Sequence, residues 1–149
     1  MRVIDTIDAI LQQKGSRVWT IPGEATVFEA IQLMAGRNIG ALVVVSRGKL
    51  EGIFTERDYT RKIALHGKSS KDTYVSEVLS PELLVATPDS TVEDCMRMMT
   101  ENRVRHLPVL QGEQLVGLIS IGDLVNWIIS TQNVEILQLH NYISGQYPG

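Results

Sequence analysis

The residues best suited to chemistry in this chain form one pattern that occurs twice: a glycine, two apolar residues, a hydroxyl residue, two further positions and an aspartate. It reads Gly52-Ile53-Phe54-Thr55-Glu56-Arg57-Asp58 and again Gly117-Leu118-Ile119-Ser120-Ile121-Gly122-Asp123. One chemistry that suits it is local. Thr55 or Ser120 can cap a helix while Asp58 or Asp123 closes a capping box. The other is recognition of a sugar phosphate. A helix start offers unpaired N–H groups and the positive end of a dipole. The hydroxyl adds a donor, the aspartate can accept from a ribose diol, and the glycine leaves room for a ligand to approach the backbone. Both readings are open. Each aspartate is one methylene shorter than the Glu or Gln that capping boxes favour, which speaks for a second role.

Basic residues accompany the first copy. Arg57, Arg61 and Lys62 follow its hydroxyl, with Arg57 and Arg61 four apart on one helical face. They suit either a solvated helix surface or bidentate contact with a diphosphate or dinucleotide. The matching positions of the second copy, Gly122, Asn126 and Trp127, carry no charge. Arg105 and His106 precede the second copy's first predicted strand, where the first copy has Gly40 and Ala41. Apolar slots for a base are offered by Val18–Ile21 (including Thr20 and Ile21) with Ile39, and by Val85–Thr87 with Val104; in an unrelated fold these would be ordinary core. Trp19 and Trp127 are read first as packing residues.

Catalysis has little to work with. The three histidines, His66, His106 and His140, lack metal-ligand spacing. Cys95 is the single cysteine, so neither an intrachain disulfide nor a CxxC site is available. It falls on the apolar face of a helix, near the Met96, Met98 and Met99 cluster. No nucleophile–base pair or catalytic acid pair stands out, and the chain is expected not to be an enzyme.

These residues are positioned by an internal repeat. Residues 26–58 align without a gap to 91–123 at an offset of 65, with eight identical pairs among 33, from Thr26/Thr91 to Asp58/Asp123. Upstream, Asp8-Ala9-Ile10-Leu11 resembles Ser76-Glu77-Val78-Leu79 at a slightly shifted register. Thr26 and Thr91 are N-cap candidates. Val27, Ala30, Ile31 and Met34 then share one helical face, as do Val92, Cys95, Met96 and Met99. Strands are predicted over Ala41–Val45 and Leu50–Phe54, and over Leu107–Leu110 and Leu115–Ile119, with a second helix starting near Glu56 or Ile121. A unit of about 55–60 residues buries too little surface to be comfortable alone. The expected fold is therefore α/β (α+β): two strand–helix–strand–strand–helix repeats packed sheet to sheet about a pseudo-two-fold axis, with extra N- and C-terminal helices. The boundaries read as 1–65 for the first repeat with its N-terminal helix, 66–80 for a polar linker, 81–130 for the second repeat and 131–149 for a helical tail. That tail either closes over its own core or packs on a second subunit.

The balance of charge agrees with a binding module. The formal net charge of −3 over 149 residues gives no broad basic face for nucleic acid. No stretch approaches the roughly 18 apolar residues of a membrane span, and the N-terminus lacks a signal-peptide core. Cytoplasm is the expected compartment, or an organelle matrix if a transit peptide has been removed.

With the duplicated motif, the Val-x-Thr-Pro-like start at Val85–Pro88, and Asn102-Arg103-Val104-Arg105-His106-Leu107-Pro108-Val109 in place, nearly the whole chain resembles the CBS domain family. The run Thr55-Glu56-Arg57-Asp58-Tyr59-Thr60-Arg61-Lys62, with Gly67-Lys68-Ser69-Ser70 after it, is similar to small stand-alone CBS pairs. The resemblance implies a disc-shaped Bateman module with two clefts that hold adenine nucleotides, AMP, ADP, ATP or NAD(H), and no catalytic cofactor. It implies a homodimer and regulation of an unidentified partner protein. It assigns ligand contacts to Thr20, Ile21, Ile39, Gly40, Ala41, Thr55, Arg57, Asp58, Arg61, Lys62, Val85, Thr87, Val104, Arg105, His106, Pro108, Ser120, Gly122 and Asp123, with Arg105 and His106 reaching phosphates. The competing reading is a protein-interaction scaffold with vestigial clefts.

Overall fold

The computed structural model describes residues 5–80 and 82–131. The chain opens with α1 (Ile7–Lys14), followed by β1 (Thr20–Ile21), α2 (Val27–Arg37), β2 (Ala41–Ser46), β3 (Lys49–Thr55) and α3 (Glu56–Asp58). The helix then continues as a π-helix over Tyr59–Ala64, and a 3-10 turn occupies Val75–Val78. The second half has α4 (Val92–Asn102), β4 (His106–Gln111), β5 (Gln114–Ser120) and α5, helical over 121–131. The expectations for the tail beyond 131 lie outside the described residues.

The repeat is visible in hydrogen bonding. Thr26 Oγ1 accepts from the Glu29 N–H at 3.1 Å, and Thr91 Oγ1 from the Asp94 N–H at 3.0 Å, so both N-caps form as the sequence implies. β2 pairs antiparallel with β3, and β4 with β5, each with a register shift at the same place, Val44/Val45 and Val109/Leu110. β1 runs parallel to β2, while its counterpart in the second half is a single parallel bridge, Ala86 to Val109. Apolar residues on the inner faces form one core per half. Val27, Ala30, Met34, Leu42, Val44 and Phe54 lie in the first, and Val92, Cys95, Met99, Leu107, Val109 and Ile119 in the second.

Each core is completed by the segment that precedes the other half. Ile7, Ile10 and Leu11 of α1 are buried in the second core, and Val75 and Val78 in the first. The backbone repeats the exchange bond for bond. The Val27 N–H donates to Thr73 O and the Val92 N–H to Asp5 O, both at 2.8 Å. The Val75 N–H donates to Ala25 O at 2.9 Å, and the Ile7 N–H to Ser90 O at 2.8 Å. The similarity of 8–11 to 76–79 is therefore structural, and each segment serves the half it does not precede. Trp127 Nε1 donates to Asp5 Oδ2 at 2.7 Å, tying α5 to the same N-terminal segment, so this indole acts as a packing and anchoring group.

The exchange also explains the motif glycines. A Cβ at Gly117 would lie 2.6 Å from Leu11 Cδ2, and one at Gly52 would lie 3.4 Å from Leu79 Cδ2. The expectation that these glycines clear space for a ligand is corrected at Gly117, whose side-chain face is filled by Leu11 from the exchanged segment; at Gly52, Leu79 stands on that face at contact distance.

Candidate functional site

Both capping boxes form. The Thr55 N–H donates to Asp58 Oδ2 at 2.9 Å, and the Asp58 N–H donates to Thr55 Oγ1 at 3.1 Å. The Thr55 hydroxyl also donates to Asp58 Oδ2 at 3.0 Å. At the second motif the Ser120 N–H donates to Asp123 Oδ2 at 2.8 Å, and the Asp123 N–H to Ser120 Oγ at 3.1 Å. The following amides are spent in the same symmetric way, Glu56 N–H on Gly40 O at 3.1 Å and Ile121 N–H on Arg105 O at 2.8 Å. The anticipated row of free N–H groups at each helix start is thus largely consumed by the fold. What the box leaves over at the first motif is Asp58 Oδ1, whose neighbour is Lys62 Nζ at 3.5 Å.

Beside that oxygen opens a cleft of about 570 Å³ between the halves, within the size range of small-molecule sites. The first half lines it with Gly40, Gly52, Ile53, Thr55, Glu56, Arg57, Asp58, Arg61 and Lys62. The second contributes Asn102, Arg103, Val104, Arg105 and His106, and the connection adds Ser80, Glu82, Leu83 and Leu84. The hydroxyl–aspartate pair of one repeat therefore faces the Arg105-His106 pair of the other. The π-helix begins directly after Asp58 and carries Arg61 and Lys62 into the wall, a helix form often found at functional positions.

Of the residues anticipated from sequence, Gly40, Thr55, Arg57, Asp58, Arg61, Lys62, Val104, Arg105 and His106 meet at this cleft. Thr20, Ile21, Ile39, Ala41, Val85, Thr87, Pro108, Ser120, Gly122 and Asp123 are not among its lining. Ile21, Ala41 and Pro108 are buried, and the Thr87 N–H is turned to Ser90 Oγ at 2.9 Å. Leu83 and Leu84 stand in the wall where Val85 and Thr87 were anticipated. Glu82, Asn102 and Arg103 were not singled out by sequence reasoning, although the position of Arg103, within the Asn102–Val109 stretch, was a usable signal.

The second motif differs. Lys14 Nζ donates to Asp123 Oδ2 at 2.6 Å and to Leu118 O at 2.9 Å. Burial alone would raise the Asp123 carboxyl, but the Lys14 hydrogen bond, the Ser120 N–H and the Lys14 charge together hold it below the ordinary carboxylate range. His106 is driven below the usual imidazole value mainly by burial; Asp123 pushes it back up, Lys14 and Arg105 lower it further, and Asp58 raises it. Its ring thus feels both motif carboxylates. Trp19 is covered by the Arg37 guanidinium, 4.2 Å from the ring centroid, with Arg17 at 5.3 Å. No group of three His, Cys, Asp or Glu side chains among the described residues is placed to hold a metal ion.

Two repeats, each with a capping box at the start of its second helix, match a known family model, the CBS domain, over residues 15–65 and 75–130. The chain belongs to the CBS domain family. This CBS pair is 40% identical over 152 residues to a mitochondrial CBS domain-containing protein of Arabidopsis thaliana, covering 95% of this chain and 73% of the relative. The solved structure of a protein with CBS domains from Burkholderia ambifaria superposes with a TM-score of 0.81 at 46% identity, covering 85% of this CBS pair and 96% of that chain. A CBS domain pair crystallised with 5′-methylthioadenosine and S-adenosyl-L-methionine superposes with a TM-score of 0.75 at 22% identity, covering 86% of this chain and 98% of that one, which shows the shared fold.

Proposed function

We propose that this CBS pair senses adenosine nucleotides, among AMP, ADP, ATP and NAD(H), in the cleft at Thr55–Asp58, and that occupancy modulates a partner protein. The observation that carries this reading is the meeting of Asp58 Oδ1, left over by the capping box, with Arg105 and His106 of the other half across one cleft. A ribose diol can donate to that oxygen while basic side chains donate to phosphate oxygens. The adenosyl ligands of the related pair described above support the same ligand class. Because the cleft is walled by both halves, a bound ligand shifts the balance between arrangements by whatever difference in affinity it has for them. Cytoplasm or an organelle matrix is the compartment proposed, the Arabidopsis relative being named as mitochondrial. A homodimer belongs to the same proposal, and Val125 and Ile129 stand exposed one turn apart on α5.

Calorimetry with AMP, ADP, ATP and NAD(H) should give a Kd below about 1 mM for at least one of them. Asp58→Ala should weaken it about tenfold or more, with residual fold checked by circular dichroism. Absence of binding by all four ligands would refute the sensor. It would leave the scaffold reading, to which the second motif lends support because the Lys14 ammonium is bonded to Asp123 Oδ2 at 2.6 Å, closer than Lys62 stands to Asp58 Oδ1.

A further inference from the structure

We infer that the cleft selects ligands carrying two or more phosphate groups, a nucleoside di- or triphosphate or a dinucleotide, over monophosphates and uncharged adenosyl compounds. This rests on the adenosine reading above and names the class within it.

The inference comes from how the repeats have diverged. Five cationic side chains line the cleft: Arg57, Arg61 and Lys62 from the first half, Arg103 and Arg105 from the second. At the offset of 65, their counterparts are Gly122, Asn126, Trp127, Asn38 and Gly40. Every one of the five is uncharged. The two halves therefore place their basic residues at different repeat positions, and the fold brings both sets to the same cleft. At the second motif Lys14 is bound to Asp123, and Arg37, the counterpart of the cleft residue Asn102, lies on Trp19.

The guanidinium groups at the cleft are also uncommitted. Among the described residues, no carboxylate lies within ion-pair distance of Arg57, Arg61, Arg103 or Arg105, although Glu56 and Glu82 share the wall. Elsewhere on this chain Arg97 is held by both Glu93 and Asp94. Four guanidinium forks spread over the two walls of one cleft match acceptor oxygens distributed over more than one phosphate better than a single compact one.

Arg103 also holds a turn position that its counterpart holds with Asn. It ends α4 in the left-handed region, φ 55° and ψ 40°, where its counterpart Asn38 sits at φ 55° and ψ 49°. Asn tolerates that conformation and Arg is crowded by it. Arg47 adopts the same region at φ 53° in the turn between β2 and β3, so the conformation alone does not mark a site; what sets Arg103 apart is that it lines the cleft where its counterpart is a neutral Asn.

Titrate the full chain with adenosine, AMP, ADP, ATP and inorganic tripolyphosphate at low and high salt. Affinity should rise at least tenfold from AMP to ATP, and the ATP affinity should fall with salt. Arg103→Asn and Arg105→Gly, each installing the counterpart residue, should cut ATP affinity about fivefold or more and leave adenosine within twofold. Arg103→Asn should not lower the melting temperature. Equal affinity for AMP and ATP would overturn the polyphosphate inference while sparing the adenosine reading. Tripolyphosphate binding with no preference for the nucleotides would do the reverse. A preference for ATP untouched by both substitutions would overturn the assignment to this cleft.

Discussion

Gly117→Ala tests the exchange of segments at one carbon. The new Cβ would stand 2.6 Å from Leu11 Cδ2, 3.1 Å from Cδ1 and 3.4 Å from Cγ. Both methyls and the branch carbon are involved, so rotating one methyl does not relieve the clash. Leu11 is 7% exposed and enclosed by the second core, which leaves it little room. Overpacking of this kind costs about 1–3 kcal/mol, offset by about 0.4–1 kcal/mol from the stiffer unfolded chain. A net loss of about 1–2 kcal/mol follows. Gly52→Ala is the internal control: its nearest contact, Leu79 Cδ2 at 3.4 Å, can give way, and the change should fall within about 0.5 kcal/mol of neutral. Leu11→Ala alone should cost about 2–5 kcal/mol. Combined with Gly117→Ala it should cost less than the sum, by about 1–2 kcal/mol, because the added methyl occupies part of the vacated volume. Urea unfolding of the four proteins measures the cycle. If Gly117→Ala matches Gly52→Ala and the cycle is additive, α1 does not pack on β5 in solution and the reasoning fails.

Two expectations follow from charge. The imidazole of His106 has a lowered value in the fold, so the unfolded chain binds a proton that the native chain refuses once pH drops below about 6.5; stability should fall from there down to the folded value and then level off, and urea unfolding at pH 7.5 and 5.5 should show this slope flattened in His106→Gln. The Asp123 carboxyl is depressed, so its contribution is present above the ordinary carboxylate value and lost as pH falls through its own lower one; Lys14→Met should cost about 1 kcal/mol or less at pH 7, the ammonium being 37% exposed, and the difference from wild type should shrink as pH is lowered from 4 toward 2.

Much of this was legible in the chain because it is carried by local rules. Thr26, Thr91, Thr55 and Ser120 cap helices where their spacing says they should, and the strands fall within a residue or two of the apolar runs. Three features were not local. The first is the exchange: Leu11 and Leu79 pack on equivalent glycines, and their segments make equivalent backbone hydrogen bonds, so nothing in either segment distinguishes its own half from the other. The second is which cleft Arg105 and His106 serve, which depends on how two sheets face each other. The third is the wall at Leu83 and Leu84, displaced from Val85 and Thr87. That segment bridges β4 only through Ala86, so no extended ladder fixes its alternation. At Gly117 the glycine reading fails because a missing Cβ looks the same in sequence whether a ligand or a leucine fills the space.

The crossed segments also order events during synthesis. α1 precedes the other described elements in the chain, and the strand it packs on, β5, emerges about a hundred residues after it. Until Ala86 and the residues after it follow, Ile7, Ile10 and Leu11 lack the apolar partners of the second core, and a helix of eight residues has little tendency to persist alone. The first half, by contrast, acquires Val75 and Val78 as soon as the connection has emerged. The nascent first half should therefore become protease-resistant near residue 80 while its leading segment stays cleavable, and only the finished chain should protect both ends of the crossing.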